Sequence, residues 1–410
     1  MAIVGGGPAG LMAAIAAARA GVSVGLLERQ DRVGRKLLAT GNGQCNLSHT
    51  GVSEVHYHGT NPAFVGPALH QFGVQSTLSF FDDLGILTTV EEDGEIYPLC
   101  RQASAVLDVL RHEAERLGVR TVVSADVSRI VPSARAFTVI HGSARTEAAT
   151  VILAAGGKAM PQLGGGESGL RLAVGLGHRA VASYAALVPL KTDCPYNRQL
   201  KGTKVDATVT LEVAGGPTRA ERGEVLFTDY GVSGPPLIQL SLPAAKALHE
   251  GRAVRLVLDL FDQWPAQELT GHLQARFERA GDAPLEQALI GLCHKRLIPA
   301  LLGTAGLSRT ASSAASLALA ARLAATCRAW PMSVTGSLSY NEAHVMCGGI
   351  DCADVDPESL QSRLVGGLYF AGELLDVTGD CGGYNLQWAW SSGHVAGERA
   401  ARCAAARAGA

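Results

Sequence analysis

The sequence predicts a mixed α/β protein, a parallel β-α-β sheet interrupted by an inserted antiparallel region and a helical stretch. Three observations predict it. The chain opens on a short apolar run, a glycine turn and a helix of small residues. Its middle alternates polar and apolar residues with period two. Near its end it returns to a buried apolar run, a Gly and a long helix.

Taken in order, residues 2–4 read as the end of a buried strand. Gly5 to Gly10 turn, residues 11–20 form a helix with small residues on its packed face, Gly21 stops it, and 22–27 make the second strand. Residues 119–123 and 150–155 read as further strands, and 107–117 as an amphipathic helix. From about 188 the character changes. Residues 205–213 alternate (VDATVTLEV), Gly215-Gly216-Pro217 breaks the run, and 225–227 and 254–258 are strands, together an inserted antiparallel β-domain. Residues 265–329 read as helical. Their Ala-rich part, 312–326, suits close helix packing better than a membrane, because Arg322 lies inside it. Strand-like residues return at 333–338, 368–371 is a buried strand ending at Gly372, and a final helix covers about 384–401, with a frayed tail after Arg402.

Composition narrows the function. The 410 residues suit two or three domains, and 47% hydrophobic residues support a large core and exclude bulk disorder. Lys plus Arg number 35 and Asp plus Glu 37, a balance of −2 with no basic run. That predicts neither a nucleic-acid partner nor a membrane surface. The start has no basic segment followed by a small-residue cleavage site, so a signal peptide is not expected. Nine Cys, an odd number with no C-x-x-C, argue against a disulfide framework and for a reducing cytoplasm.

The strongest chemical signal is Gly5-Gly6-Gly7-Pro8-Ala9-Gly10 with Glu28. It is a G-x-G-x-x-G between a strand and a helix, with an acid at the end of the next strand. Gly5 permits the turn, Gly7 lets backbone N–H groups reach a pyrophosphate, and Gly10 lets helix and strand pack closely. Glu28 can accept from ribose hydroxyls. This is a Rossmann-like dinucleotide site. A second match, Gly164 to Gly169, follows Lys158-Ala159-Met160-Pro161-Gln162 instead of a strand and reads as a loop before a helix. Cys45 and Cys381 read as structural thiols. His344, Cys347 and Cys352 lack a fourth ligand, so no metal is expected. Trp388 and Trp390 read as packing residues, and no G-x-S-x-G occurs.

These motifs, with residues 28–46 (ERQDRVGRKLLATGNGQCN), 151–157, 186–190, 226–241 and 367–397, resemble the aminoacetone oxidase or BaiN-like family of two-dinucleotide-binding-domain flavoproteins. Thr40 and Gln44 stand where that family usually has Ser and Arg. The Thr keeps a hydroxyl, whereas the Gln removes a positive charge. The resemblance implies a glutathione-reductase-type FAD-binding domain and noncovalent FAD. By it, Gly5, Gly6, Gly7, Pro8, Ala9, Gly10 and Leu11 hold the pyrophosphate, and Glu28, with Arg29 beside it, the adenosine ribose. Arg35 and Lys36, with Gly41, Asn42, Gly43, Gln44, Cys45 and Asn46, form the loop by the ribityl and flavin. Val127 touches the adenine, and Ala155 and Gly156 lie beside the adenosine. Gly372 and Glu373 make a second FAD motif, and Gly382, Gly383, Tyr384 and Asn385 open the last helix beneath the isoalloxazine. His49, His58 and Tyr384 are the acid–base candidates.

The domain boundaries expected are an FAD-binding domain at 1–185 plus 345–410, a barrel-like substrate domain at 186–261 plus 331–344, and a helical subdomain at 262–330. The chemistry expected is two-electron transfer at flavin N5 on a small organic substrate, bound between flavin and insert. Two versions compete. One is an amine-type oxidase passing electrons to O2. The other is a reductase of a double bond with NAD(P)H as a transient donor. The lack of a dedicated NAD(P)H domain leans towards the oxidase or transient nicotinamide binding. From other classes come a flavin-binding nucleic-acid modification protein, opposed by the charge, and a non-catalytic flavin sensor, opposed by the large insert.

Overall fold

The computed structural model describes residues 1–313 and 317–408. Two compact units emerge, residues 1–185 with 343–410 and residues 186–342.

The first unit is built on a five-stranded parallel sheet. Its order is Leu368–Phe370, Val151–Leu153, Ala2–Val4, Gly25–Leu27, Arg120–Val122. The three strands Ala2–Val4, Val151–Leu153 and Leu368–Phe370 are buried at every residue, as a sheet covered on both faces requires. Ala2–Val4 lies between a strand that follows it in sequence and one that comes much later. The chain therefore leaves in opposite directions at its carboxyl end, where open α/β sheets bind ligands. The helix Pro8–Arg19 starts there. The final helix, Tyr384–Ala408, packs along it. A Cβ at Gly393 would strike the Ala9 carbonyl, and one at Gly397 would stand 3.0 Å from Ala13 Cα. The last helix is longer than expected, and the residues after Arg402 are not frayed. They are helical to Ala408, and Arg407 donates to the carbonyls of Ala149 (2.7 Å) and Gly366 (2.8 Å). A three-stranded antiparallel sheet, Val127–Pro132, Phe137–His141 and Ala144–Ala148, was not anticipated.

The second unit holds a closed six-stranded barrel. Its strands are Leu190–Thr192, Gly231–Ser233, Arg219–Phe227, Lys204–Val213, Val254–Asp259 and Trp330–Ser337 in spatial order. The period-two pattern points Ala207, Val209 and Leu211 inward. The helices Ala266–Ala280, Leu297–Thr304 and Leu317–Arg328 share this core. Leu269, Leu273, Phe277 and Leu323 pack in one cluster with Leu256 and Trp330. Residues 262–330, expected as a subdomain of their own, thus belong to the barrel's unit, and the chain returns to the first unit at 343 instead of 345. The helix Pro235–His249 also went unread. Its Pro-Pro start looks like a turn but suits a first helical turn, which needs no N–H donors. Part of the Ala-rich run, 314–316, lies outside the described residues. Among the described residues no helix is long and apolar enough to cross a membrane.

Candidate functional site

The glycine turn is shaped by close backbone approach. Gly5 has φ +108°, and a Cβ there would strike the Ala154 carbonyl. A Cβ at Gly10 would strike the Gly5 carbonyl. At Gly7 a Cβ meets nothing within 4 Å, so open space lies over the helix start. Pro8 occupies the first turn, no side chain caps the helix, and its first turn holds no acid. The N–H groups of Ala9 and Gly10 have no intrahelical acceptor, which makes this positive end an anion site. Leu11 differs from expectation. Its N–H donates to the Gly7 carbonyl at 2.9 Å and its side chain is buried, so it packs the core.

Glu28 braces the turn. Its two carboxylate oxygens accept from the N–H groups of Gly6 and Gln30, each at 2.7 Å. Ala125 N–H donates to the Glu28 carbonyl at 2.8 Å, which brings the buried Val127 to this end. Gly156, at φ +69°, follows Ala155 with open space beside it. Arg29 donates to the carbonyls of Gly164 and Gly165 at 2.9 and 3.3 Å, and Arg35 to Gln30 Oε1 at 2.9 Å and the Gln162 carbonyl at 3.2 Å. The second glycine stretch therefore walls the same end of the sheet. Its helix, Ser168–Gly175, follows the turn Pro161–Leu163, not a strand.

At the other end, Gly41, Asn42, Gly43 and Cys45 all have positive φ, making a tight left-handed loop. Gln44 N–H donates to the Gly41 carbonyl at 3.0 Å. Asn46, 8% exposed, buries its Oδ1 without a partner, and Arg35 Nε is likewise buried and unpaired. Lys36 Nζ lies 2.8 Å from Glu373 Oε2, whose other oxygen accepts from Met346 N–H at 2.8 Å. A Cβ on Gly372 would stand 2.9 Å from Ala9 Cβ, so the two glycine motifs meet although 363 positions separate Ala9 and Gly372 (372 − 9). A Cβ on Gly383 would stand 2.7 Å from Asn46 Oδ1. Asn385, expected among the residues that open the last helix beneath the isoalloxazine, uses its side chain within its own turn. Its Oδ1 accepts from Gly379 N–H at 2.8 Å, and its Nδ2 donates to the carbonyls of Gly379 (2.8 Å) and Asp380 (3.1 Å), fixing the turn. Burial pushes the Cys45 thiol up to about 12 and the Cys381 thiol to about 11, so neither is a thiolate at neutral pH.

Two residues that sequence reading missed complete this end. Asp380 lies within hydrogen-bond reach of His58 Nε2 (Oδ1, 2.7 Å) and His56 Nδ1 (Oδ2, 3.1 Å). The short antiparallel pair of Tyr57–His58 with Thr378–Gly379 holds them together. The Tyr384 ring stacks on His49 at 4.8 Å and on His56 at 4.5 Å. Burial, with the carboxylates of Asp380, Glu95 and Asp93, pushes the Tyr384 hydroxyl up to about 12, so it stays protonated. The signal available in sequence was an H-x-H leading into a short strand and an Asp just before Cys-Gly-Gly. Among the described residues no three His, Cys, Asp or Glu side chains are placed to hold a metal ion. Cys352 Sγ, for example, donates to the Asp376 carbonyl instead of converging with His344.

These residues fit FAD. The open space at Gly7 and Gly156 is a cradle that a side chain would fill, Arg35 Nε is buried without a partner beside Gln30, and so is Asn46 Oδ1 at the far end. Residues 1–399 match the HI0933-like protein Rossmann domain family. The chain is 37% identical over 402 residues to a 3-dehydro-bile acid delta(4,6)-reductase of Clostridium scindens, covering 97% of this chain and 98% of that one. It is 28% identical over 401 residues to a ribosomal RNA dihydrouridine synthase of Haemophilus influenzae, covering 96% of each. Its fold is that of the 3-ketosteroid delta1-dehydrogenase from Sterolibacterium denitrificans, with TM-score 0.52 at 13% identity over 98% of this chain and 99% of that one. The chain belongs to the HI0933-like Rossmann-domain family, and it is an FAD-dependent oxidoreductase.

Proposed function

We propose that the protein reduces a carbon–carbon double bond conjugated to a carbonyl in a small, steroid-like substrate, with NAD(P)H as transient donor. The observation that carries this reading is the end-to-end 37% identity to a reductase named for the 4,6 double bonds of a 3-dehydro bile acid. When bound, FAD supplies hydride at N5. The uncapped N–H groups at Ala9 and Gly10 bind its pyrophosphate. Glu28 holds the ribose and Glu373 the ribityl chain, while Asn46 and the turn at Gly382-Gly383 set the flavin's position. The nine cysteines form no disulfide, which suits a reducing cytoplasm. The amine oxidase reading loses ground because nothing else here favours it.

A second reading has its own support. Relatives 28% and 29% identical are named ribosomal RNA dihydrouridine synthases, and uracil reduction also saturates a double bond beside a carbonyl. The net charge of −2 is a whole-chain sum and does not describe the face a nucleic acid meets. The test is anaerobic mixing of the FAD-loaded enzyme with NADH or NADPH, then with acceptor. We expect the flavin to bleach and a 3-oxo-4,6-diene bile acid to restore it. Restoration by unmodified ribosomal RNA alone supports the second reading. Bleaching by amines, with recovery only in O2, overturns both.

A further inference from the structure

We infer that His56, Asp380 and His58 form a proton store for the reduction, with the two imidazoles as carriers and Asp380 as the positioning residue between them. The inference rests on the double-bond reduction proposed above. Saturating such a bond takes a hydride at one carbon and a proton at the other. NAD(P)H supplies the hydride through the cofactor, and the proton must come from a protein acid recharged by water.

The geometry singles out this constellation. Asp380 stands immediately before Cys381-Gly382-Gly383, the turn that enters the last helix. That turn lies against the loop carrying Asn46 and the Ser48 carbonyl. Each histidine turns one nitrogen to a different oxygen of the same carboxylate. Given as donors, these are Nε2–H of His58 and Nδ1–H of His56. His58 Nδ1 and His56 Nε2 are left to take up and release a proton. The histidine side chains are about one-third exposed, 32% and 33%, so the store refills from solvent, while Asp380 is 21% exposed.

Asp380 supplies the anion between the two rings. Burial opposes ionisation of Asp380, but the hydrogen bonds and charge of His58 and His56 outweigh it and hold the carboxyl below its ordinary value. Tyr57, Tyr384 and Cys381, the other titratable groups beside it, are neutral, each pushed up by burial. Glu95 and Asp93 add negative charge around Tyr384. On the other ring stacked with Tyr384, His49 Nδ1 accepts from Gly51 N–H at 2.8 Å and does not share the carboxylate. In turnover, an imidazolium gives its proton to the substrate carbon next to the carbonyl as hydride reaches the far carbon. Neutral imidazole then takes a proton from water, so atoms and electrons balance.

Two measurements test this. In enzyme with ¹⁵N-labelled histidine and no substrate, neutral His58 should show the Nε2–H tautomer and His56 the Nδ1–H tautomer. Asp380→Asn, which puts an amide donor in place of one acceptor oxygen, should lose at least one of these tautomers. The opposite tautomers, or tautomers unchanged in Asp380→Asn, overturn the store whether or not any variant turns over. In single turnover, Asp380→Asn should leave FAD content and NAD(P)H bleaching at wild-type values. Reoxidation by the 3-oxo-4,6-diene at neutral pH should fall about 100-fold, the lower end of what a positioned acid contributes. Wild-type reoxidation overturns the proposal. If Asp380→Asn loses FAD, His58→Gln carries the same comparison. If wild-type flavin is restored by no conjugated carbonyl compound, the proposed function fails, and the tautomers still decide the store.

Discussion

Asn46 buries an amide oxygen that no protein group satisfies. A buried unpaired polar atom costs about 1–3 kcal/mol, and a ligand that pairs with it regains that amount. Asn46→Ala should therefore leave the melting temperature of FAD-stripped protein equal or higher, while FAD affinity falls about 5- to 150-fold. Thermal melts and FAD titration check both signs, and a lower apo melting point with unchanged affinity contradicts the assignment. Glu113 shows the opposite logic. Hydrogen bonds from Arg116, opposed by burial and reinforced by Arg19, hold its carboxyl below the usual range. A depressed folded value gives stability present above the unfolded value of about 4.3 and lost as pH falls through the folded one. Glu113→Gln should lower the melting temperature at pH 7, and its gap from wild type should close as the solution is acidified below about pH 4. At this scale the glycine turn and Glu28 were legible, because their chemistry lies in local spacing. The pairing of His56 with Asp380, 324 positions apart, was not, and neither was the use of the Asn385 amide within its own turn.

Among elements, the crossing of the first and last helices supports the turn at Gly5 to Gly10, the proposed pyrophosphate site. Gly393 and Gly397 let the last helix touch the backbone of Ala9 and Ala13. Gly397→Val overpacks that contact, which typically costs about 1–3 kcal/mol. It should lower the melting temperature and weaken FAD binding together, since Ala9 carries one of the uncapped N–H groups. A stability loss with unchanged FAD affinity means that the crossing supports the fold alone. The second glycine stretch gives a prediction of little change. A Cβ on Gly166 would lie 3.0 Å from the movable end of the Arg29 side chain. Gly166→Ala should keep NAD(P)H-driven bleaching within a few-fold of wild type. A 100-fold loss of nicotinamide affinity with full FAD content shows a nicotinamide site there. Gly383 suits neither kind of test, because φ +92° and the adjacent Ser48 carbonyl leave no room for a side chain. The small residues of the first helix announced close packing, but its partner lies at the other end of the sequence. The helix at Pro235–His249 stayed hidden because its prolines also fit a turn.

Over the whole molecule, the first unit draws on two distant stretches of chain. Leu368–Phe370 completes the parallel sheet, and Gly372 meets Ala9, so the second motif is part of the fold that presents the first. The insertion was legible as a change of period near residue 188, since a strand pattern reports its own face. The sharing of one core by barrel and helices was not, because contacts such as Phe277 with the barrel interior depend on packing between segments with no sequence signature. The two glycine motifs, the fit to FAD and the 37% relative together support the proposed reduction of a conjugated double bond. The most direct measurement is anaerobic single turnover of the FAD-loaded enzyme, reduced with NAD(P)H and mixed with a 3-oxo-4,6-diene bile acid. The flavin absorbance should return with one double bond saturated per flavin. A flavin that stays bleached until O2 enters, with the steroid unchanged, contradicts it.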